Sequence, residues 1–340
     1  MKAAILKTFG QPLSIEEVAV PHPAEGEALV KVMASGLCAT DIHIRDGIVP
    51  TVKLPHVPGH ELAGIVEEVG PNTSRELIGK RIVAYIDVTC KKCRYCLSNR
   101  PNLCTSLVRI GFERDGSHQQ YCVLPLENLI PIQEHIPFEQ AAVAPDAVAC
   151  MQHAIKNQGQ VHAGQWVCFM GTGGIGLQGV QIAKHMGAKV IATARTQKRL
   201  DIALELGADY VVNTKNENLY EAVRDITNGD FCDVVFDLIG IEDSVDWAAH
   251  ICSRGGKVIL AAYTVPTFRV NYQEIVIREK ELIGIRGATR QALEESMDLI
   301  GKGIITPFIY KTIPFDQINE GLQDVEDGKA LGRIVVKPWE

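Results

Sequence analysis

The sequence from Trp166 to Gly187, WVCFMGTGGIGLQGVQIAKHMG, decides the fold. Its apolar beginning predicts a short buried strand, and its second half has the apolar spacing of a helix. Between them the glycines follow the pattern G-x-G-x-x-G. Such a turn, placed between a strand and a helix within a β-α-β unit, is typical of a dinucleotide-binding site.

Each glycine of this turn has a physical reason to be there. Gly171 permits the tight turn, Gly173 lets the backbone approach a pyrophosphate, and Gly176 lets the helix pack close to the sheet. Together with Gly174 and Ile175, they would present free N–H groups at the helix N-terminus to the cofactor phosphates. The alternative is a plain strand-to-helix turn without a ligand.

Strand and helix patterns alternate along the chain after this turn. The predicted strands are AKVIATA, ADYVVNT, CDVVFDLIG and GGKVILAAY. The predicted helices between them are QKRLDIALELG, NLYEAVRDIT and VDWAAHIC. This alternation predicts an α/β fold, a doubly wound parallel sheet with helices on both faces.

Residues 1 to about 150 show a different pattern. Short β-rich runs, EALVKVMAS, LAGIVEEVG and KRIVAYIDV, are separated by Pro and Gly, which predicts an irregular, mainly β domain. A chain of 340 residues exceeds what one hydrophobic core normally holds, so we expect two domains. The alternation fades near residue 288, and the strand-like tail LGRIVVKPW is expected to pack back on the first domain.

Charge and hydropathy limit the classes of partner that the protein is expected to bind. The formal net charge is −7 and no basic tract stands out, which argues against nucleic acid and anionic membranes. No run reaches the ~18 apolar residues that span a bilayer, and MKAAILKTFGQPLSIEEVAV at the N-terminus lacks the apolar core of a signal peptide. We therefore expect a cytoplasmic protein, in which clustered cysteines bind metal more often than they form disulfides.

Four of the ten cysteines crowd into one short segment with the spacing C-x2-C-x2-C-x7-C: Cys90, Cys93, Cys96 and Cys104. Tetrahedral zinc with four thiolates is a closed, structural site with no position left for substrate. Three cations between these cysteines, Lys91, Lys92 and Arg94, would offset the net negative charge of such a centre. Four unligated thiols and an iron–sulfur cluster are the alternatives.

The second strand of the predicted nucleotide fold carries the signal for the type of cofactor. NAD-binding sites usually place Asp or Glu at the end of that strand to bind the ribose hydroxyls. Here the strand ends in Ala194 and Arg195, and Lys198 and Arg199 follow. The missing carboxylate and the nearby cations favour NADP over NAD, since cations can bind a 2′-phosphate. The alternative for Lys198 and Arg199 is a solvated helix face.

A second set of metal-ligating side chains is dispersed along the chain. It contains Cys38, His60, Glu61 and Asp146. Taken singly, each residue has an ordinary explanation. A lone Cys is usually a small buried hydrophobe, a His can be a core residue with satisfied hydrogen bonds, and an Asp before a helix is often an N-cap.

Four motifs in order resemble the zinc-dependent alcohol dehydrogenases of the medium-chain dehydrogenase/reductase family. They are LCxTDxHxxxG from residue 37, GHE from residue 59, the four-cysteine pattern, and the later GxGxxG. The match runs over essentially the whole chain. The resemblance implies a GroES-like catalytic domain formed by residues 1–153 and 289–340, and a Rossmann-type domain formed by residues 154–288.

The same resemblance implies a catalytic zinc, and therefore two zinc ions per chain. Its ligands would be Cys38, His60 and a third residue, which is cysteine in many members and, in the branch that this segment resembles, a carboxylate after a proline, here Asp146. Cys150 and His153 are rivals for the third position. Zinc with a thiolate, a neutral imidazole and a carboxylate sums to zero charge and keeps one position open for water or an alcohol oxygen.

Four further residues match family positions with roles in the chemistry. Glu61 neighbours the metal, and Asp41 matches the carboxylate that orients the zinc histidine, here His60. Thr40 matches the hydroxyl that takes the proton of the alcohol, and His43 matches the imidazole that carries it to solvent.

Three other positions concern the cofactor and the substrate. Ala39 stands where the family often has a basic contact to the pyrophosphate, which is a departure from the pattern. Arg286 matches an arginine near the cofactor phosphates. Ile48 stands where ethanol-preferring relatives often carry a large aromatic, which favours bulkier alcohols.

The predicted reaction is the reversible oxidation of a primary or secondary alcohol to an aldehyde or ketone by hydride transfer to NAD(P). A polyol or amino-alcohol dehydrogenase of the same family is the nearest alternative. A zinc-free quinone or enoyl reductase would not need the three zinc ligands together. A non-catalytic zinc- and NADP-binding redox sensor would not need Thr40 and His43. The family also implies a homo-oligomer, either a tetramer or a dimer.

Overall fold

The fold is described from a computed structural model that covers residues 1–263 and 267–340. The chain forms two compact units, one of Met1–Ala149 with Ala288–Glu340 and one of Cys150–Gly287. The boundaries expected from the sequence, at 153 and 288, lie slightly further along the chain. In the described part of the chain, no helix combines the length and apolar character needed to cross a membrane.

The N-terminal part of the first unit contains nine strands and four short helices. The strands are β1 (Lys2–Ile5), β2 (Ser14–Glu17), β3 (Glu27–Leu37), β4 (Glu61–Val69), β5 (Arg81–Ala84), β6 (Asp87–Val88), β7 (Val108–Arg109), β8 (Tyr121–Pro125) and β9 (Leu129–Pro131). The helices are α1 (Ala39–Arg45), α2 (Arg94–Leu97), α3 (Phe138–Ala142) and α4 (Ala149–Gln152), the last of which crosses into the second unit. Two π-helical stretches, Ala144–Val148 and His153–Gly159, flank α4.

The second unit is an alternating α/β structure. Its strands are β10 (Trp166–Met170), β11 (Lys189–Ala194), β12 (Tyr210–Asn213), β13 (Cys232–Asp237), β14 (Cys252–Leu260) and β15 (Glu281–Gly284). Its helices are α5 (Gly176–His185), α6 (Gln197–Glu205), α7 (Leu219–Ile226), α8 (Ser244–Ile251) and α9 (Tyr272–Val276). All neighbouring strands pair in parallel, in the order β12-β11-β10-β13-β14-β15.

This order confirms the predicted doubly wound sheet. The strand order reverses between β10 and β13, which is where open α/β sheets bind their ligands. Buried apolar side chains of the strands pack against the helices, among them Met170, Val235 and Val258. The sequence pattern does not predict the edge strand β15, because a four-residue edge strand that is only half-buried lacks the apolar run of the central strands.

The chain then returns to the first unit. The remaining elements are α10 (Arg290–Gly301), β16 (Ile309–Pro314), α11 (Ile318–Glu326) and β17 (Arg333–Lys337). β17 pairs antiparallel with β3, as expected for the strand-like tail. The resulting seven-stranded sheet has the order β16-β17-β3-β4-β5-β9, with β8 also paired to β3.

The long strand β3 lies between β4 and β17 and brings residues of all three strands together. Gly36 pairs with Glu61 of β4 on one side and with Val335 of β17 on the other. A Cβ at Gly36 would lie 1.9 Å from a carboxylate oxygen of Glu61, so only glycine leaves room for this side chain. Three strands that are far apart in sequence therefore meet where β3 ends and α1 begins.

Candidate active site and metal centres

Three side chains from distant parts of the first unit converge on one point. A sulfur, a ring nitrogen and a carboxylate oxygen, from Cys38, His60 and Asp146, lie within 4.8 Å of one another. The sulfur of Cys38 is 3.6 Å from Oδ2 of Asp146, and Nε2 of His60 is 3.7 Å from the same oxygen. Cys38 and His60 are buried, whereas Asp146 is 19% exposed.

Local structure explains how each residue reaches this point. Cys38 is the N-cap residue of α1, so its side chain lies at the turn between β3 and the helix. His60 directly precedes β4, and its ring packs against Phe112 with the ring centroids 5.4 Å apart. Asp146 lies in the first π-helical stretch, where a wider turn than that of an α-helix changes the direction of the side chains.

The donor set fits a zinc ion. Thiolate sulfur, imidazole nitrogen and carboxylate oxygen are the ligand atoms of zinc, and three protein ligands are typical of catalytic sites. Neither Cys150 nor His153 belongs to this group. Nδ1 of His153 instead faces the side chain of Asn157 at 3.2 Å.

Arg333 lies against the candidate site, and the sequence analysis did not single it out. Its guanidinium donates to Oε1 of Glu61 at 2.9 Å through Nε and to Oδ2 of Asp146 at 2.8 Å through Nη2. The arginine side chain is 7% exposed and that of Glu61 is fully buried. Burial raises the pKa of Glu61 to about 8, although the cation of Arg333 acts in the opposite direction. The guanidinium thus donates to both carboxyl groups from a buried position.

Asp41 lies behind His60. Its Oδ2 accepts the backbone N–H of Cys38 at 2.9 Å, and its Oδ1 faces Nδ1 of His60 at 3.4 Å. Burial alone would raise the pKa of this carboxyl, but His60 and His118 outweigh it and hold the pKa well below its usual range. His118, which the sequence analysis also missed, faces Oδ1 from the other side with Nε2 at 3.6 Å.

Thr40 and His43 lie one helical turn apart on α1, which places their side chains on the same face. Oγ1 of Thr40 is 3.6 Å from the sulfur of Cys38. Partial burial lowers the pKa of His43, which favours a neutral imidazole that can accept a proton. The hydroxyl predicted to take the proton therefore lies directly beside the candidate zinc ligand.

The four clustered cysteines come together in the loop around α2. Their sulfurs lie within 4.8 Å of one another, with Cys93 and Cys96 3.5 Å apart. Backbone N–H groups of Cys96 and Thr105 lower the pKa of Cys93 to about 5, whereas burial and the neighbouring thiols raise that of Cys96 to about 11. Four converging sulfurs fit tetrahedral zinc, and the backbone donors favour the thiolate state that it requires.

The glycine turn in the second unit has the shape that a dinucleotide requires. Gly171 has a positive φ of 103°, which only glycine adopts readily. A Cβ at Gly176 would lie 2.1 Å from the carbonyl oxygen of Gly171, so close packing excludes a side chain there. A Cβ at Gly173 would meet no atom within 4 Å, so its backbone faces open space at the start of α5.

The predicted ribose end of the cofactor site lies at the end of β11. Ala194 is the last residue of this strand and is buried, while Arg195 is exposed. Arg199 in α6 donates to the carbonyl of Thr172 in the glycine turn at 3.2 Å. A cavity of about 390 Å³ lies in the same unit and is lined in part by Met170, Thr193, Ile239 and Trp247. Arg286 is exposed in the segment that follows β15.

Comparisons with known proteins identify the same two parts. Residues 24–134 match the family model for the alcohol dehydrogenase GroES-like domain, and residues 174–302 match that for zinc-binding dehydrogenases. An alcohol dehydrogenase of Geobacillus stearothermophilus is 32% identical to the chain, with 99% of each chain covered. The D-arabinose 1-dehydrogenase (NADP(+)) of Saccharolobus solfataricus is 30% identical, with 99% of this chain and 97% of the relative covered.

Solved structures agree with the sequence relatives. The crystal structure of an NAD-dependent alcohol dehydrogenase superposes with a TM-score of 0.95 at 28% identity, covering 99% of this chain and 100% of the other. A doubly wound sheet with a glycine turn, joined to a mainly β unit with a metal-ligating group, defines a zinc-binding dehydrogenase. The chain belongs to the zinc-dependent alcohol dehydrogenases of the medium-chain dehydrogenase/reductase family. This confirms the expected fold class. It also confirms that the protein is an oxidoreductase that acts on the CH–OH group of a small molecule with a nicotinamide cofactor.

Proposed function

We propose that the chain oxidises primary or secondary alcohols reversibly to aldehydes or ketones, with zinc held by Cys38, His60 and Asp146. The observation that carries the proposal is the convergence of three different zinc-ligating atoms within 4.8 Å, beside a threonine hydroxyl. Zinc, when bound there, supplies a Lewis acid that lowers the pKa of the substrate hydroxyl, and the nicotinamide supplies the hydride acceptor.

The surrounding residues would handle the proton and hold the ligands. Oγ1 of Thr40 would accept the proton of the substrate hydroxyl as it releases its own hydrogen to the cofactor ribose, and the neutral ring of His43 would take up a proton from the ribose and pass it to solvent. Asp41 fixes the ring of His60 through Nδ1, which selects the tautomer whose Nε2 is free to bind metal. Glu61 and Arg333 balance the charge of the site as substrates enter and leave.

A second zinc ion would occupy the four-cysteine loop of Cys90, Cys93, Cys96 and Cys104, which gives two ions per chain. With four sulfurs this site has no position for substrate, so its role is to hold the loop in place. We further propose a cytoplasmic homo-oligomer, a tetramer or a dimer, as the family implies.

NADP(H) is the proposed cofactor in preference to NAD(H). Gly171, Gly173, Gly174, Ile175 and Gly176 would form the pyrophosphate turn, and Arg286 would reach the phosphates. Ala194 leaves the ribose end without a carboxylate, and the exposed Arg195 beside it supplies a cation for a 2′-phosphate.

A polyol or sugar substrate is the second candidate. Two observations favour it: the D-arabinose dehydrogenase relative, and Ile48, which is 38% exposed and follows the helix that carries Thr40 and His43. A small aliphatic residue there leaves room for a chain with several hydroxyls.

A substrate panel measured with both cofactors tests the proposal. We expect turnover of simple primary or secondary alcohols, dependent on zinc, with a higher kcat/KM for NADP than for NAD. Turnover restricted to polyols would favour the second candidate. Activity that survives complete zinc removal would contradict the proposed chemistry.

Replacing Arg195 with Asp tests the cofactor assignment separately. We expect the ratio of kcat/KM for NADP over NAD to fall at least about tenfold, because one favourable ion pair with the 2′-phosphate becomes a repulsive one. Lys189→Asp is the matched control, since it makes the same charge change at the opposite end of β11. Equal shifts in both variants would mean that Arg195 does not contact the phosphate.

A further inference from the structure

His118 is a fully buried histidine that the proposed chemistry does not use. Its backbone is held firmly, since its N–H donates to Pro58 at 3.0 Å and its carbonyl accepts from Ala4 at 2.9 Å. Gly59 makes room for it: a Cβ at that position would lie 2.6 Å from Nδ1 of His118 and 2.5 Å from Oγ of Ser117. Gly59, which directly precedes the proposed zinc ligand His60, thus leaves the space that the imidazole of His118 fills.

Both ring nitrogens of His118 face polar atoms. Nδ1 is 2.9 Å from Oγ of Ser35, and that hydroxyl is 2.6 Å from Oγ of Ser117, which donates to the carbonyl of Glu61 at 3.2 Å. On the other side, Nε2 faces Oδ1 of Asp41 at 3.6 Å. A chain of buried polar groups therefore runs from β4 through two serines and His118 to the carboxylate behind His60.

The donor count fixes the role of Nε2. Because each hydroxyl has one hydrogen, Nδ1 of His118 accepts when Ser117 donates to Ser35 and Ser35 donates to the ring, and it donates when Ser117 donates to the carbonyl of Glu61. Nε2 has no such choice, because it faces Oδ1 of Asp41 at 3.6 Å, and a carboxylate oxygen only accepts. A neutral imidazole has one N–H, so the arrangement in which Nδ1 accepts from Ser35 is the one that directs a hydrogen from Nε2 towards Asp41.

Asp41 therefore stands between two imidazoles. Within the described residues, Oδ1 of Asp41, Nδ1 of His60 and Nε2 of His118 are buried and have no conventional hydrogen bond, and they face one another at 3.4 and 3.6 Å. Oδ2 is held separately by the N–H of Cys38. The carboxylate is thus fixed at one oxygen by the backbone and at the other by the two rings.

We propose that His118 is a positioning residue for the catalytic metal, acting through Asp41 to hold the ring of His60. The proposal rests on the zinc site of the proposed function. Without the imidazole, Oδ1 of Asp41 keeps only His60 as a neighbour, and the carboxylate can turn about its side-chain bond. His60 then loses a fixed acceptor for Nδ1, and the site loses its preformed geometry. Partners of this kind typically contribute 10–100-fold to metal affinity.

The test measures how tightly the purified holoenzyme holds each of its metal ions. Zinc content is followed during equilibration with a chelator of known affinity, for wild type, His118→Phe and His118→Gln. The four-cysteine ion serves as an internal reference. We expect His118→Phe to weaken retention at the three-ligand site by about 10–100-fold. His118→Gln, whose amide can still donate towards Asp41, should recover most of the loss.

Two further measurements separate positioning from a loss of fold. With Co²⁺ in the three-ligand site, the d–d absorption bands should change in His118→Phe and return towards wild type in His118→Gln. His56→Phe is the matched control, because His56 is also buried and faces a carboxylate, Asp115, and the carbonyl of Gly111. We expect this control to lower Tm and to leave retention at the three-ligand site unchanged.

The outcomes are distinct. If wild type holds two ions and His118→Phe holds both as tightly, the role of His118 is refuted while the proposed function stands. If wild type holds an ion only in the four-cysteine loop, both proposals fail. Should His118→Phe not fold, Ser35→Ala removes the partner of Nδ1, and we expect a smaller weakening of the same site; no change there would also refute the proposal.

Discussion

The two metal-ligating groups of the first unit are built in opposite ways. The four cysteines come from one loop between residues 90 and 104, and three of the four are only half-buried. Cys38, His60 and Asp146 come from a helix cap, the start of a strand and a π-helical stretch, more than 100 residues apart at the extremes. The first group can be assembled locally, whereas the second requires the whole unit to fold.

The two groups also differ in how their charge is stabilised. In the loop, backbone N–H groups stabilise the thiolate of Cys93, whose pKa falls to about 5. At the site of Cys38, His60 and Asp146, side chains lie against the acidic groups instead. Arg333 donates to Glu61 and Asp146, and His118 faces Asp41. A buried site with an open ligand position needs charged partners of its own, because water cannot screen it.

The largest effect on turnover is expected from Cys38→Ser. Losing the thiolate removes the tightest zinc ligand and with it a Lewis acid worth several kcal/mol, so kcat/KM should fall by at least about three orders of magnitude. The four-cysteine ion should remain, so metal analysis should find one zinc per chain instead of two. Wild-type activity in this variant would contradict catalysis by a zinc ion at this site.

A smaller effect on turnover is expected from Arg333→Met. It leaves Glu61 and Asp146 without their buried cation, and removing one partner of a buried pair typically costs about 3–5 kcal/mol of stability. Turnover should fall by about 10–100-fold, because Asp146 loses the group that orients it. Urea unfolding and steady-state kinetics would measure both.

Arg224→Met is the control for that variant, since its partner Asp225 lies on the surface and such pairs contribute little. If Arg333→Met behaved like this surface variant, Arg333 would have no role in supporting the metal site.

The smallest effect on turnover is expected from Cys93→Ser. The zinc proposed for this loop would stabilise it and take no part in the reaction, so activity per folded molecule should stay within about threefold of wild type. Tm should fall by several degrees, because binding of a structural metal contributes directly to folding free energy. An unchanged Tm with both ions retained would show that Cys93 is not a ligand of the second ion.

The difference between the sites also explains what the sequence could and could not predict. The glycine turn and the four cysteines have signatures within a few residues, so pattern and spacing were enough to bring them together. Asp146, the third proposed zinc ligand, was expected only because the chain resembles a family. No local pattern marks a π-helical stretch in which a carboxylate turns towards a distant cysteine.

No pattern in the sequence marked Arg333 or His118 as residues near the candidate site. Arg333 sits in an ordinary strand sequence and reaches Glu61 only because β17 pairs with β3, which pairs with β4. His118 reaches Asp41 because the segment before β8 donates backbone hydrogen bonds to Pro58 and Gly59, where the glycine leaves space for the ring. Both roles arise from long-range strand pairing, which single-sequence patterns do not encode.

The most direct test of this account is anomalous diffraction from crystals of the holoenzyme at the zinc absorption edge. We predict two peaks per chain, one among the four cysteines and one between Cys38, His60 and Asp146. A single peak in the cysteine loop, with nothing between the sulfur of Cys38 and the ring of His60, would contradict it.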